Sequence, residues 1–161
     1  MSLPHPRPEF MDAALAEARA ALEAGNLPIG AAIVHQDRVV AVGRNAIDVP
    51  GDDTRHAELS AIESIAPFLF RHKHQCTLYT TLEPCMMCLG AIINVGIDAL
   101  VIARADPDIG GLRLLPHAEY YDFKRSRLQV VSGYRAAESQ ALLAEYVRRT
   151  GLRRHLGEAA T

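Results

Sequence analysis

Apolar residues recur along the first third of the chain with two different periods. In an Ala-rich segment beginning at Glu9, Met11, Leu15, Ala18 and Leu22 fall at i, i+4, i+7 and i+11, the spacing of one helical face. Gly25-Asn26 closes that helix and Pro28 keeps it from restarting, while Pro4 to Pro8 reads as an extended leader. Ile29 to Val34 and Val39 to Val42 are short β-branched runs joined by His35-Gln36-Asp37-Arg38, which reads as a hairpin. Asn45 to Arg55, with Pro50, Gly51, Asp52 and Asp53, reads as a loop. A second helix is expected from near His56, with Leu59, Ile62 and Ile65 inward, fading around Pro67. Cys76 to Thr81 reads as a strand, and Pro84 to Val95 as a helix opened by its proline and ended by Gly96. Ala99 to Ala103 reads as a buried strand, after which Pro107, Gly110, Gly111 and Pro116 break the pattern. Leu128 to Ser132 is a last strand and Ala136 to Arg149 a last helix. A hairpin followed by alternating strands and helices predicts an α/β fold, one mixed sheet with helices on both faces. No repeat or low-complexity linker interrupts the order, so residues 1–161 are expected to form a single domain.

Composition narrows the class. With 49% hydrophobic and 22% charged residues the chain has enough apolar surface to fold, which excludes a disordered or collagen-like chain. The longest uncharged stretch, Pro84 to Ile97, is too short to span a bilayer, so no membrane partner is expected. The first residues carry no apolar run of the kind a signal peptide needs, and a cytoplasmic protein is expected. The net charge of −2 is unevenly spread. Residues 1–103 hold 7 Lys+Arg against 12 Asp+Glu, and residues 104–161 hold 10 against 7. An indiscriminate nucleic-acid binder is not indicated, but the basic final third keeps an RNA partner open.

Three cysteines, Cys76, Cys85 and Cys88, are too few for a disulfide framework, and two of them are spaced C-x-x-C. On the expected helix Cys85 and Cys88 share a face and stand in the first turn, where free N–H groups favour thiolates. His56, at the start of another helix, supplies a third, neutral donor. Zinc accepts this set, and a catalytic zinc site keeps three protein ligands and one open position. Glu58, two residues from His56, does not share its helical face, and suits a proton carrier beside that position better than a fourth ligand.

His56-Ala57-Glu58 with Pro84-Cys85-Met86-Met87-Cys88 resembles the cytidine/deoxycytidylate deaminase superfamily, whose general signature is H-x-E followed by P-C-x-x-C. The longer run from Thr80 to Ile93, Leu27-Pro28-Ile29-Gly30-Ala31 and Asn45 are similar to the branch containing cytosine, guanine and tRNA adenosine deaminases. The resemblance covers Phe10 to Ala103 well and the remainder weakly. It implies a three-layer α/β/α sandwich around a mixed five-stranded sheet, with Zn2+ held by His56, Cys85 and Cys88 and with Glu58 as proton shuttle. It also implies Asn45 as a hydrogen-bonding contact to base or sugar, Ile29 and Pro84 beside the ring, and a homodimer. Backbone donors near Ala57 and Cys85 are expected to face the reacting carbon.

Other readings of the same residues stand beside this one. The C-x-x-C pair suits a redox centre, which would leave His56-Ala57-Glu58 unexplained. A closed structural zinc site would need Cys76, His72 or His74 as fourth ligand. Cys76 reads otherwise as core packing, His72-Lys73-His74 as a solvated loop, Met86 and Met87 as core and rim filler, and Asn45 as a turn former. Arg148, Arg149, Arg153 and Arg154 read as a solvated helix end, with an RNA phosphate contact as the alternative. Asp106 and Asp108 would repel RNA if they lined a phosphate path, and Asn94-Val95-Gly96-Ile97 lacks the arginine that tRNA deaminases commonly place before the isoleucine. A small nucleobase or nucleoside is therefore expected as substrate, and a tRNA adenosine is the alternative.

Overall fold

Strand alternation sorts the core residues onto the two faces of one sheet. The computed structural model describes residues 5–47, 51–117, 122–125 and 127–152, so Pro4, Pro50, Arg153 and Arg154 lie outside the described residues. The elements run α1 (Pro8–Glu23), β1 (Gly30–His35), β2 (Arg38–Arg44), α2 (Ala57–Ser64), α3 (Ala66–His72) and, after a 3₁₀ turn at Lys73–Gln75, β3 (Cys76–Leu82). Then come α4 (Met86–Val95), β4 (Ala99–Arg104), a 3₁₀ segment at Leu112–His117, α5 (Asp122–Arg125), β5 (Gln129–Ser132) and α6 (Ala136–Thr150). The sheet order is β2-β1-β3-β4-β5. β1 is antiparallel to β2 and β3, whereas β3, β4 and β5 are mutually parallel. This is the mixed five-stranded sheet that the resemblance implied.

Ala32, Val34, Tyr79, Val101 and Ala103 pack on one face against Phe10, Met11, Ala14 and Leu15 of α1. On the other, Ala31, Ile33, Leu78, Leu82, Leu100 and Ile102 meet Ala57, Ala61 and Ile62 of α2 and Leu89, Ile92 and Ile93 of α4. α6 lies beside α1 and completes the third layer. Two glycines set how closely the helices approach. A Cβ at Gly30 would stand 2.1 Å from the Ala14 carbonyl oxygen, and one at Gly43 would stand 2.2 Å from that of Ala57. A side chain at Gly43 would lift the N-terminus of α2, with His56 and Glu58, off the sheet.

Several details depart from the sequence expectations. Pro8 ends the leader by opening α1. The hairpin turn consists of Gln36 and Asp37, both at positive φ (46° and 59°), the type I′ geometry that matches strand twist. The helix expected to fade around Pro67 is two helices, with the chain bending at Ile65 (φ −130°, ψ 25°). Pro67 lies in the first turn of α3, where its missing N–H costs nothing. The buried face of α2 is Ala57, Glu58, Ala61 and Ile62; Leu59 and Ile65 are only half-buried. His72-Lys73-His74 is not a solvated loop. His72 ends α3 with its ring centroid 4.6 Å from that of Phe68, and His74 Nδ1 lies 2.9 Å from Asp98. α4 begins at Met86 rather than Pro84, and Met86 and Met87 are exposed rather than core. Arg148 and Arg149 are exposed but ion-paired, Arg148 to Glu145, and Arg149 to Glu145 (2.7 Å) and Glu23 (3.1 Å). No helix among the described residues is long and apolar enough to cross a membrane.

Candidate active site

The N-caps of two helices meet at the carboxyl end of the parallel strands β3 and β4. His56 caps α2 and Cys85 caps α4, each in an extended conformation that leaves the following N–H groups free of helical partners. The helix dipole favours negative charge at both ends. Cys85 therefore sits just before the first turn rather than inside it, and Cys88 stands one turn on, fully buried. His56 Nδ1 and Cys85 Sγ are 3.6 Å apart, and the donor atoms of His56, Cys85 and Cys88 all lie within 4.8 Å of one another. Ligand atoms on a zinc tetrahedron with ordinary Zn–S and Zn–N bonds stand about 3.5–3.8 Å apart, so the donor set and its spacing fit zinc. Among the described residues no other group of this kind forms. Cys76 begins β3 at the end remote from Cys85, and neither it, His72 nor His74 joins the cluster.

Without metal, the cluster polarises itself. Hydrogen bonding from the Cys88 side chain, with the His56 ring and the Cys88 backbone, holds Cys85 down to about 4. Contact with that sulfur raises His56 and raises Cys88. Cys76, by contrast, is pushed up to about 11 by burial. Glu58 lies in the first turn of α2 and is 3% exposed; burial raises its pKa. Its Oε1 accepts a hydrogen bond from Thr80 Oγ1 at 3.1 Å.

Glu58, His56 and Cys85 line a cleft of about 180 Å³. Leu27, Ile29, Ile47, Leu82 and Ile109 form its apolar walls, and Asn45, Glu83 and Asp106 add polar groups. Asn45 is 1% exposed. Its Oδ1 accepts the Ile47 N–H at 3.0 Å, shaping the turn, and its amide lines the cleft. Ala57 and Pro84 are buried beside the site without lining the cleft. Ala57 packs beneath Gly43, and the Pro84 carbonyl accepts the Gly111 N–H at 2.9 Å.

Sequence reasoning missed the part of the cleft formed by Glu83, Asp106 and Ile109. Glu83 takes the Asp106 N–H on Oε2 (3.2 Å) and the Leu112 N–H on Oε1 (3.0 Å). Asp106 is itself buried, its Oδ1 accepting the N–H groups of Asp108 (2.9 Å) and Ile109 (3.1 Å). A Cβ at Gly110 would lie 2.4 Å from Glu83 Oε1, so only glycine lets the loop close on that carboxylate. Ile109 is thereby held at the cleft. Of the two aspartates expected to repel a phosphate path, Asp106 is consumed inside the loop and only Asp108 is exposed.

Residues 5–104 match the cytidine and deoxycytidylate deaminase zinc-binding region. The chain is 36% identical over 104 residues to the tRNA-specific adenosine deaminase of Aquifex aeolicus, covering 64% of this chain and 69% of that one. It is 38% identical over 139 residues to the tRNA(Ile)-lysidine synthase of Deinococcus radiodurans, covering 84% of this chain but only 23% of that protein's length. Among solved structures, one from work on A-to-I editing by tRNA:A34 deaminases superposes with a TM-score of 0.71 and 34% identity, over 85% of this chain and 100% of that one. Guanine deaminase from Nitrosomonas europaea superposes with a TM-score of 0.70 and 28% identity, over 90% and 86% of the two chains. The chain belongs to the cytidine and deoxycytidylate deaminase zinc-binding family.

Proposed function

We propose that the protein is a hydrolytic deaminase of a free nucleobase or nucleoside, acting as a single domain over residues 1–161. The observation that carries this reading is Glu58, a buried carboxyl lining a ring-sized cleft beside three donors spaced for one zinc ion. Zinc held by His56, Cys85 and Cys88 would supply Lewis acidity that makes water a nucleophile near neutral pH. Glu58 carries both protons of the attacking water, the first to the ring nitrogen as oxygen adds to the ring carbon and the second from the added hydroxyl to the leaving amine. The ring carbon gains oxygen, its bond to the exocyclic nitrogen breaks, and ammonia leaves. Asn45 orients the ring by its amide, Ile29 packs on it, and the backbone donors near Ala57 and Cys85 face the reacting carbon, while Pro84 supports the site from behind the cleft.

The size and rim of the cleft favour a small substrate. A volume of about 180 Å³ is below the roughly 300–1,000 Å³ of sites for larger ligands. In the loop that follows Asp106, Arg113 donates to the carbonyls of Pro107 (3.0 Å) and Asp108 (2.6 Å), and Ile109 is about half exposed. The ion pairs of Arg148 and Arg149 likewise favour a structural role over a phosphate contact. The second reading, a tRNA adenosine deaminase that takes a flipped base, is favoured by relatives that carry that name. A cytoplasmic homodimer belongs to the same proposal, and sedimentation tests the dimer.

The test is ammonia release by the zinc-loaded protein from cytosine, guanine, adenine, isocytosine, aminotriazines, the common nucleosides and unmodified tRNA. Turnover of a base or nucleoside is expected. Turnover on tRNA alone replaces this reading with the second, and release from none overturns both.

A further inference from the structure

Along the face of β3 that meets α2 and α4, the inward residues are Leu78, Thr80 and Leu82. Thr80 is fully buried, flanked in register by Ala31 of β1 and Ile102 of β4. Burying a hydroxyl among apolar side chains is unfavourable unless it is hydrogen-bonded, and valine would fill the same volume with an equal preference for a strand. The polar atom therefore needs a use. Its single proton has two acceptors within reach, the Leu82 carbonyl at 3.0 Å and Glu58 Oε1 at 3.1 Å.

We infer that Thr80 is a positioning residue, whose hydroxyl on a strand paired at both edges holds the Glu58 carboxylate in one orientation beside His56 and Cys85. A glutamate has three rotatable side-chain bonds; on the helix side this carboxylate takes hydrogen bonds from its own backbone and from Cys88, and Thr80 is its hydrogen-bond partner from the sheet. The bond from the centre of the sheet fixes Oε1 from the side opposite the helices, so the carboxylate is held between two elements. The neighbouring Thr81 makes a useful contrast. It points to the opposite face, and its hydroxyl accepts the Gly30 N–H at 3.0 Å, a purely structural bond.

The inference rests on the proposed role of Glu58, and the experiment separates the two. Thr80→Val, Thr80→Ser, Thr81→Val and Glu58→Gln are compared in the zinc-loaded full chain on whichever panel substrate releases ammonia fastest. Zinc content and thermal unfolding are measured alongside. Thr80→Val is expected to lower kcat about 10–100-fold with kcat/KM falling equally, as loss of an outer partner of a catalytic group does. Zinc content should not change, Thr80→Ser should restore most of the rate, and Thr81→Val should leave kcat intact. A crystal structure of Thr80→Val should show the Glu58 carboxylate turned or split between rotamers, with one rotamer in Thr80→Ser. Unchanged kcat in Thr80→Val, or one unchanged Glu58 rotamer there, overturns the inference. An active Glu58→Gln would instead sink the proton-carrier role, and the crystal structure would still decide whether Thr80 anchors the carboxyl.

Discussion

The two walls of the cleft are built by different physics. The wall carrying His56, Glu58 and Cys85, with Cys88 buried behind it, consists of two helix N-termini pressed onto the sheet through Ala57, Ala61 and Ile62 of α2 and Leu89 and Ile92 of α4. The wall carrying Asp106 and Ile109 is a loop, held by two hydrogen bonds to Glu83, two to the Asp106 carboxylate and a bridge between Cys85 and Gly110. Close packing makes the first wall rigid, while the second depends on a few polar contacts. On the proposed reading, chemistry and choice of ring fall to separable parts of the molecule, and substitutions should separate them.

The largest effect is expected from Cys88→Ala in the packed wall. Metal binding, turnover and thermal stability should fall together, with zinc affinity dropping by more than the roughly 10–100-fold that loss of an outer partner costs. Full zinc occupancy, measured on the purified variant, would contradict the ligand assignment. Next is the metal-free protein. A thiolate forms as pH rises through its pKa, and Cys85 is held at about 4, so it is already ionised near neutrality. Its alkylation rate should change little between about pH 6 and 8, whereas an ordinary thiol speeds up roughly tenfold per unit there. Added zinc should suppress the reaction. A tenfold rise per unit would show that the His56–Cys88 surroundings do not stabilise the thiolate.

In the loop wall, Glu83→Ala leaves the Asp106 and Leu112 N–H groups without their carboxylate, at a cost of about 1–3 kcal/mol. KM should rise more than kcat falls, with zinc retained. A loss in kcat alone would place that loop in the chemistry and erase the division between the walls. The smallest effect is expected far from both. Arg149→Ala removes exposed ion pairs to Glu145 and Glu23, worth about 0.2–1 kcal/mol, and should not alter turnover of a small substrate. A large loss of turnover there would mark Arg149 as a substrate contact.

The packed wall was legible in the sequence because its residues occur in two short motifs at helix starts. Spacing alone brings Cys85 near Cys88, and the sheet order brings His56 to them. The loop wall was not legible. Glu83 meets partners 23 and 29 residues further on, and nothing in its own neighbourhood announces those bonds. Asp106 looked like surface charge, because an aspartate that closes its own loop has the same local sequence as one in solvent. The break at Ile65 was hidden for a different reason. Proline stops a helix that precedes it and also suits the first turn of one that follows, and Pro67 does the second in α3, so one residue carries both signals. Thr80 followed the strand pattern and so looked like one more inward residue; only the fold shows that Glu58 lies across from it.

The most direct measurement compares ammonia release and zinc content in the native chain and Glu58→Ala. Turnover should disappear in the variant, by roughly 10²-fold or more, while zinc stays bound by His56, Cys85 and Cys88. Comparable turnover in the two proteins would contradict the account at its centre, because the buried carboxyl would then carry no proton.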